Sequence, residues 1–194
     1  MFYLTLIVVV LLAGPAGAGP LDAPGYGKAF TCSACHGFAG NSQAATVPIL
    51  AGMPAAYLKK ALQDYASGTR PSTEMEPYAK MAVQLGVDDI ATYFAGQTRE
   101  SATATALDGA AVARGKTAAV ACAGCHGPDG RGDAAKGVPD LRGQPQGYLG
   151  NQMLLFKSGR RSPGDKALEE MKTLMKAIPE ATLADLAAYF ASRQ

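Results

Sequence analysis

Two pentapeptides hold the soft-ligand chemistry of this chain: Cys32-Ser33-Ala34-Cys35-His36 and Cys122-Ala123-Gly124-Cys125-His126. Together they use all four cysteines and both histidines. Two thiols separated by two residues fit on one helical turn, where both can reach the two vinyl groups on one edge of a haem and become thioethers. The histidine that follows is carried under the ring and can ligate the iron. Cys-x-x-Cys by itself also suits a redox disulfide or half of a zinc site. Zinc would need a further Asp or Glu in each set. A thioredoxin-like dithiol needs no following histidine and sits near a βαβ pattern, which this sequence lacks. The doubled motif therefore implies two covalently held haem c groups, with Cys32, Cys35, Cys122 and Cys125 as thioethers and His36 and His126 on iron.

The segments that must position these residues are also doubled. Val47-Pro48-Ile49-Leu50-Ala51-Gly52-Met53-Pro54 matches Val138-Pro139-Asp140-Leu141-Arg142-Gly143-Gln144-Pro145. Tyr57-Leu58 matches Tyr148-Leu149, Ser67-Gly68-Thr69-Arg70 matches Ser158-Gly159-Arg160-Arg161, and Asp89–Phe94 matches Asp185–Phe190. The offset is 90 at the cysteines, 91 through the middle and 96 at the end, so the second copy is longer, mainly around Ser162–Leu168. Apolar residues at three- and four-residue spacing predict helices over Pro54–Ser67 and Gln144–Lys157, each followed by glycine. Val87–Ala95 and Ala181–Ser192 read as closing helices, capped by Asp88 or Thr182. No run of alternating strands is visible. The fold class is all-α, with domains over residues 19–100 and 107–194 and a Thr-, Ser- and Ala-rich connection from Gln97, its linker core at 101–106.

With no histidine to spare, the sixth ligand on each iron should be methionine. Six methionines follow the leader segment. Met75 lies nineteen residues before Phe94, and Met171 lies nineteen before Phe190; each follows a glutamate. Met81 aligns with Ala177, Met175 with Ala79, Met53 with Gln144 and Met153 with Leu62. Without a methionine partner in the other copy, these four read as core filler. Met75 and Met171 are the candidate ligands, with Met81 and Met175 next. A thioether is a soft, neutral ligand that favours ferrous iron, and a filled sixth position closes the metal to peroxide and oxygen. That points to electron transfer rather than catalysis.

A ligating histidine usually donates its other ring N–H to an acceptor. The carbonyls of Pro48 and Pro139 are candidates, although proline there also serves as a loop stop. Arg70 and Arg161 suit carboxylate recognition and could each hold a haem propionate, or stand solvated on the surface. Tyr57 and Tyr148 could assist them or only pack.

The tandem Cys-x-x-Cys-His domains, paired Val-Pro-x-Leu and Gly-x-Pro-x-x-Tyr-Leu segments, Ser-Gly-x-Arg turns and Asp-[Ile/Leu]-Ala-x-Tyr-Phe helices resemble the cytochrome c4 family over nearly the whole chain. The first copy departs from the family pattern in lacking Leu-Ser-Asp before its closing helix. The resemblance implies two class I cytochrome c folds in contact, each wrapped around one haem, with His36/Met75 and His126/Met171 iron. It implies a carrier of single electrons, not an enzyme, passing them from a respiratory donor such as a quinol-cytochrome c reductase to an acceptor such as a terminal oxidase. The alternative is the dihaem electron-accepting subunit of a dehydrogenase, as in flavocytochrome c sulfide dehydrogenase.

Residues 2–13 are almost wholly apolar, and Ala16-Gly17-Ala18 fits a signal-peptidase site, so residues 1–18 are expected to be a cleaved signal peptide. The run is shorter than the ~20 residues that span a bilayer, though a retained anchor is the alternative. Either way the expected location is the periplasm, with peripheral membrane association. Residues 19–104 carry a net charge of −1 and residues 105–194 a net of +3. Lys157, Arg160, Arg161 and Lys166 form the strongest basic feature, suited to a solvated face or to docking. Nothing in the chain points to nucleic acid.

Overall fold

Short apolar-periodic segments broken by glycine and proline dictate short helices, and here they build two units on one plan. The computed structural model describes residues 19–100 and 106–194. The expected signal peptide and most of the 101–106 linker lie outside the described residues. The first unit contains α1 (Tyr26–Ala29), α2 (Ser33–His36), α3 (Ala55–Ala66), α4 (Met75–Leu85) and α5 (Val87–Ala95). The second contains α6 (Gly109–Ala118), α7 (Ala123–His126), α8 (Gln146–Lys157), α9 (Glu169–Ala177) and α10 (Glu180–Ala191). Among the described residues there is no strand, only an isolated bridge between Asp133 and Val138.

The expected helices over Pro54–Ser67 and Gln144–Lys157 begin after their prolines. Pro54 and Pro145 hold extended backbone, with ψ of 130° and 132°. The expected caps of the closing helices are corrected. Gly86 and Pro179 occupy the cap positions, while Asp88 and Thr182 lie inside the helices. Asp88 still places negative charge at the positive end of α5. In the first unit α4 and α5 are joined through Gly86 alone, at φ +115°, a conformation that favours glycine. The second unit turns earlier, at Ile178-Pro179, because proline cannot continue α9.

Each unit is locked by its first helix crossing its last. A Cβ on Gly25 would lie 2.6 Å from the Asp89 carbonyl oxygen, and one on Gly115 would lie 2.0 Å from that of Asp185. Only glycine permits that approach of backbone to backbone. Lys28–Asp89 and Arg114–Asp185 ion pairs flank the two crossings. Phe94 and Phe190, 1% and 3% exposed, anchor the two separate cores.

Candidate haem-binding sites and the seam between them

Each Cys-x-x-Cys-His motif begins in a 3-10 turn and ends on a one-turn helix. After His36 the chain reverses sharply at Gly37, φ +76°, where a Cβ would lie 2.3 Å from the Asn41 carbonyl oxygen. His36 and His126 are buried, and Cys35 and Cys125 are exposed. Burial pushes the thiols of Cys32 and Cys122 up from their ordinary range. His36 Nδ1 lies 2.9 Å from the Pro48 carbonyl oxygen, and His126 Nδ1 lies 3.1 Å from that of Pro139. A carbonyl can only accept, so each Nδ1 carries the proton and each Nε2 keeps a lone pair for a metal. Burial lowers both imidazole pKa values, and the carbonyl bonds oppose it only in part. Both rings are therefore neutral, the form that ligates iron.

In the first unit these groups open on a cavity of about 810 Å³, lined by Cys32, Cys35, His36, Leu58, Met75 and Phe94. That volume lies in the range of cofactor pockets, about 300–1,000 Å³. Two thiols and an imidazole sit at one wall and a thioether on another lining segment, a donor set that fits haem c. In the second unit Met171 and Cys122 both pack, half-buried, against the core built around Met175 and Phe190. Met175 is 1% exposed inside that core, and its repeat counterpart Ala79 is 0% exposed. Met53 and Met153 are also core residues, at 3% and 8%; Met53 additionally borders the first cavity. Met81 is half-buried.

The two units meet across a pseudo-two-fold seam. A Cβ on Gly137 would touch Ala56 of the first unit, and one on Gly147 would crowd Ala45 and Thr46. These contacts are reciprocal under the repeat offset of 91, as a two-fold interface requires. At its centre the hydroxyls of Tyr57 and Tyr148, equivalent residues, lie 3.4 Å apart. Arg70 and Arg161 are also here, 2% and 8% exposed, rather than on the surface. Arg70 crosses the seam: Nε and Nη2 donate to Gln152 Oε1 at 3.0 and 2.7 Å, and Nη2 donates to Tyr148 at 2.8 Å. Arg161 Nη1 donates to the same Gln152 oxygen at 2.8 Å. The Nε of Arg161 is buried with no partner among the described residues. Each guanidinium also stacks on a ring, Arg70 on Tyr65 at 4.4 Å and Arg161 on Phe156 at 4.2 Å.

Among the described residues no carboxylate bonds either guanidinium, so the two are an unbalanced buried charge, and they draw on the tyrosines. Burial opposes ionisation of Tyr57, but Arg70 and Arg161 outweigh it and bring its hydroxyl down to about 7. Burial holds Tyr148 above the usual phenol range. A site with this charge and a bare Nε suits anionic carboxylates such as haem propionates.

The seam also changes two readings from sequence. Arg161 does not belong to a surface basic cluster, and Lys157 is committed to the carbonyls of Lys176 and Ile178 at 3.0 and 2.7 Å. Arg160 and Lys166 remain exposed. The Gln97–Ala106 connection is not a free strand at its start: Asn41 holds the Thr98 carbonyl at 3.0 Å and the Glu100 N–H at 2.8 Å. Sequence reasoning missed Gln152, whose repeat counterpart is Ala61. It also missed Gln144, whose amide pairs with the N–H and C=O of Ile49 at 3.0 and 2.8 Å across the seam. A Gln facing Ala or Met in the other copy was the available signal. It has no meaning until the two copies are placed face to face.

The cytochrome c family profile matches residues 26–94 and 112–194. Cytochrome c4 of Pseudomonas aeruginosa is 35% identical over 191 residues, covering 95% of this chain and 94% of that protein. A thiosulfate dehydrogenase electron acceptor from Thiomonas intermedia is 34% identical over 176 residues, covering 86% and 80%. Among solved structures, reduced recombinant cytochrome c4 from Pseudomonas stutzeri superposes with a TM-score of 0.79 at 29% identity, covering 88% of this chain and 97% of the other. Thiosulfate dehydrogenase from Marichromatium purpuratum gives 0.73 at 27% identity over 84% of this chain and 36% of that one.

Proposed function

The chain belongs to the cytochrome c4 family, dihaem electron-transfer proteins, and we propose that it relays single electrons in the periplasm between a respiratory donor and an acceptor such as a terminal oxidase. Covalently held haem iron supplies the one-electron chemistry. In this reading Cys32, Cys35, Cys122 and Cys125 tether the two haems. His36 and Met75 ligate the first iron, and His126 and Met171 the second. Pro48 and Pro139 fix the tautomer and plane of each imidazole. Arg70 and Arg161, with Tyr57 and Tyr148 beside them, balance propionate charge at the seam. The domains run over residues 19–100 and 107–194, after a cleaved signal peptide at 1–18. Among the described residues no helix is long and apolar enough to cross a membrane. Peripheral contact with the membrane face remains part of the proposal, as do a quinol-cytochrome c reductase or a dehydrogenase as donor.

The observation that carries this reading is the 810 Å³ cavity on which Cys32, Cys35, His36 and Met75 converge. A holoprotein matured with the c-type haem machinery should hold two haems per chain after denaturation, and one haem would refute it. A second reading has its own support: relatives named as electron acceptors of thiosulfate dehydrogenase match most of this chain. In that case the protein is the dedicated acceptor of a dehydrogenase. Isolation from the native periplasm and membrane separates the two, because a stoichiometric dehydrogenase companion would reject the free carrier.

A further inference from the structure

We propose that Asp140, Arg142 and Arg99 form a charge triad that tunes the reduction potential of the second haem alone; this rests on His126 being its ligand. Asp140 directly follows Pro139, whose carbonyl accepts from His126 Nδ1. Its Oδ1 accepts from the Arg142 backbone N–H at 2.9 Å and from Arg142 Nε at 3.0 Å, and Oδ2 accepts from Arg142 Nη2 at 2.7 Å. Arg99 arrives from the end of the first unit. Its Nη1 lies 3.6 Å from Asp140 Oδ2 and 3.4 Å from the Asp140 carbonyl oxygen, and its Nη2 donates to the Arg142 carbonyl.

The equivalent positions behind His36 carry no charge. The first unit's equivalents of Asp140 and Arg142 are Ile49 and Ala51, both 0% exposed. The backbone of Ile49 is held by the neutral amide of Gln144 instead. The wall behind His36 is therefore apolar and the wall behind His126 is ionic. The side chains of Asp140, Arg142 and Arg99 are 15%, 16% and 17% exposed, so solvent screens their field weakly. Reduction adds one negative charge at an iron. A carboxylate nearby disfavours that step and a guanidinium favours it. The triad carries one of the first and two of the second, for a net positive charge.

Neutralising opposite members should move one haem in opposite directions. In the full holoprotein, Asp140→Asn should raise the second haem's potential, increasing its reduced fraction several-fold at a fixed poise. Arg99→Gln should lower it, and Arg99→Lys should restore the wild-type value. The first haem should not move. Spectroelectrochemical titration reads the potentials, and the paramagnetically shifted haem methyl resonances tell the two haems apart. A packing role alone would shift both variants in the same direction or neither. Two haems per chain with no opposite shifts overturn the triad and leave the ligand reading intact. A wild-type protein with a single haem overturns both.

Discussion

Arg70 and Arg161 occupy the same place in the repeat and do different work. Arg70 reaches across the seam to Gln152 and Tyr148, while Arg161 stays on its own side and leaves Nε bare. The cause is one position. Under the pseudo-two-fold, the residue that would answer Arg161 as Gln152 answers Arg70 is residue 61, and it is alanine. The helix crossings at Gly25 and Gly115 have stayed alike, because close backbone contact tolerates only glycine. The seam has diverged, because an unbonded guanidinium can be met by another acceptor. The repeat thus kept the backbone crossing that locks each unit and let the polar contacts between the units diverge.

The length difference teaches the same lesson. The extra residues near Ser162–Leu168 grip the first unit through Ser162 and Asp165, while Pro163, Gly164, Lys166 and Ala167 stay exposed. The Ser162 N–H donates to the Thr69 carbonyl at 2.6 Å, and its hydroxyl donates to Asp64 at 3.2 Å. Lys60 pairs with Asp165 at 2.9 Å. Ser162 holds φ +49°, an uncommon conformation for a residue with a side chain, and its contacts with the first unit support it.

The comparison of the two units can be broken most strongly at the proposed axial ligands. Met171→Ala should lower one potential by an amount on the order of hundreds of millivolts and let that iron bind carbon monoxide. Met75→Ala should do the same to the other iron. If Met175→Ala opens the second iron instead, the alignment of the copies is wrong there.

Next come the helix crossings. Gly115→Ala should cost about 3 kcal/mol, since a methyl cannot share space with the Asp185 carbonyl. Gly25→Ala should cost as much in the first unit, where φ of +86° adds strain. Urea midpoints of the two variants, read from each haem's absorbance, would show whether each loss stays in its own unit.

The seam comes third. Gln152→Ala removes the acceptor shared by both guanidiniums and should cost about 2 kcal/mol. Ala61→Gln offers Arg161 its missing partner and should recover about 1 kcal/mol. Differential scanning calorimetry would detect both; a destabilising Ala61→Gln would mean that a haem carboxylate already fills the place.

The smallest effect belongs to the insertion. Asp165→Asn keeps a cap for the Lys166–Leu168 turn but loses the pair with Lys60, costing about 0.5 kcal/mol. The hydrogen bond from Lys60 holds Asp165 below the usual carboxylate range. Its contribution is therefore complete above the unfolded carboxylate pKa and is lost as pH falls through the lower folded value. Melting curves from pH 7 down to pH 3 should show that loss in the wild type and less of it in the Asn variant.

The two Cys-x-x-Cys-His motifs, the duplication and four helices, α3, α5, α8 and α10, were legible in the sequence, because each depends on local spacing or on comparing the chain with itself; α4, α6 and α9 were not, although α4 and α9 carry Met75 and Met171. The closing-helix caps were not, because Asp88 and Thr182 look like caps until Gly86 and Pro179 end the preceding segments first. The fates of Arg70, Arg161, Gln144, Gln152 and Arg99 were not legible either. A guanidinium drawn on a line of sequence looks solvated, and an amide facing alanine in the other copy looks like drift. Only the packing of one unit on the other decides which polar groups lose water. Once they lose it, each must find a partner, and that requirement turned scattered side chains into the seam and the ionic wall behind His126.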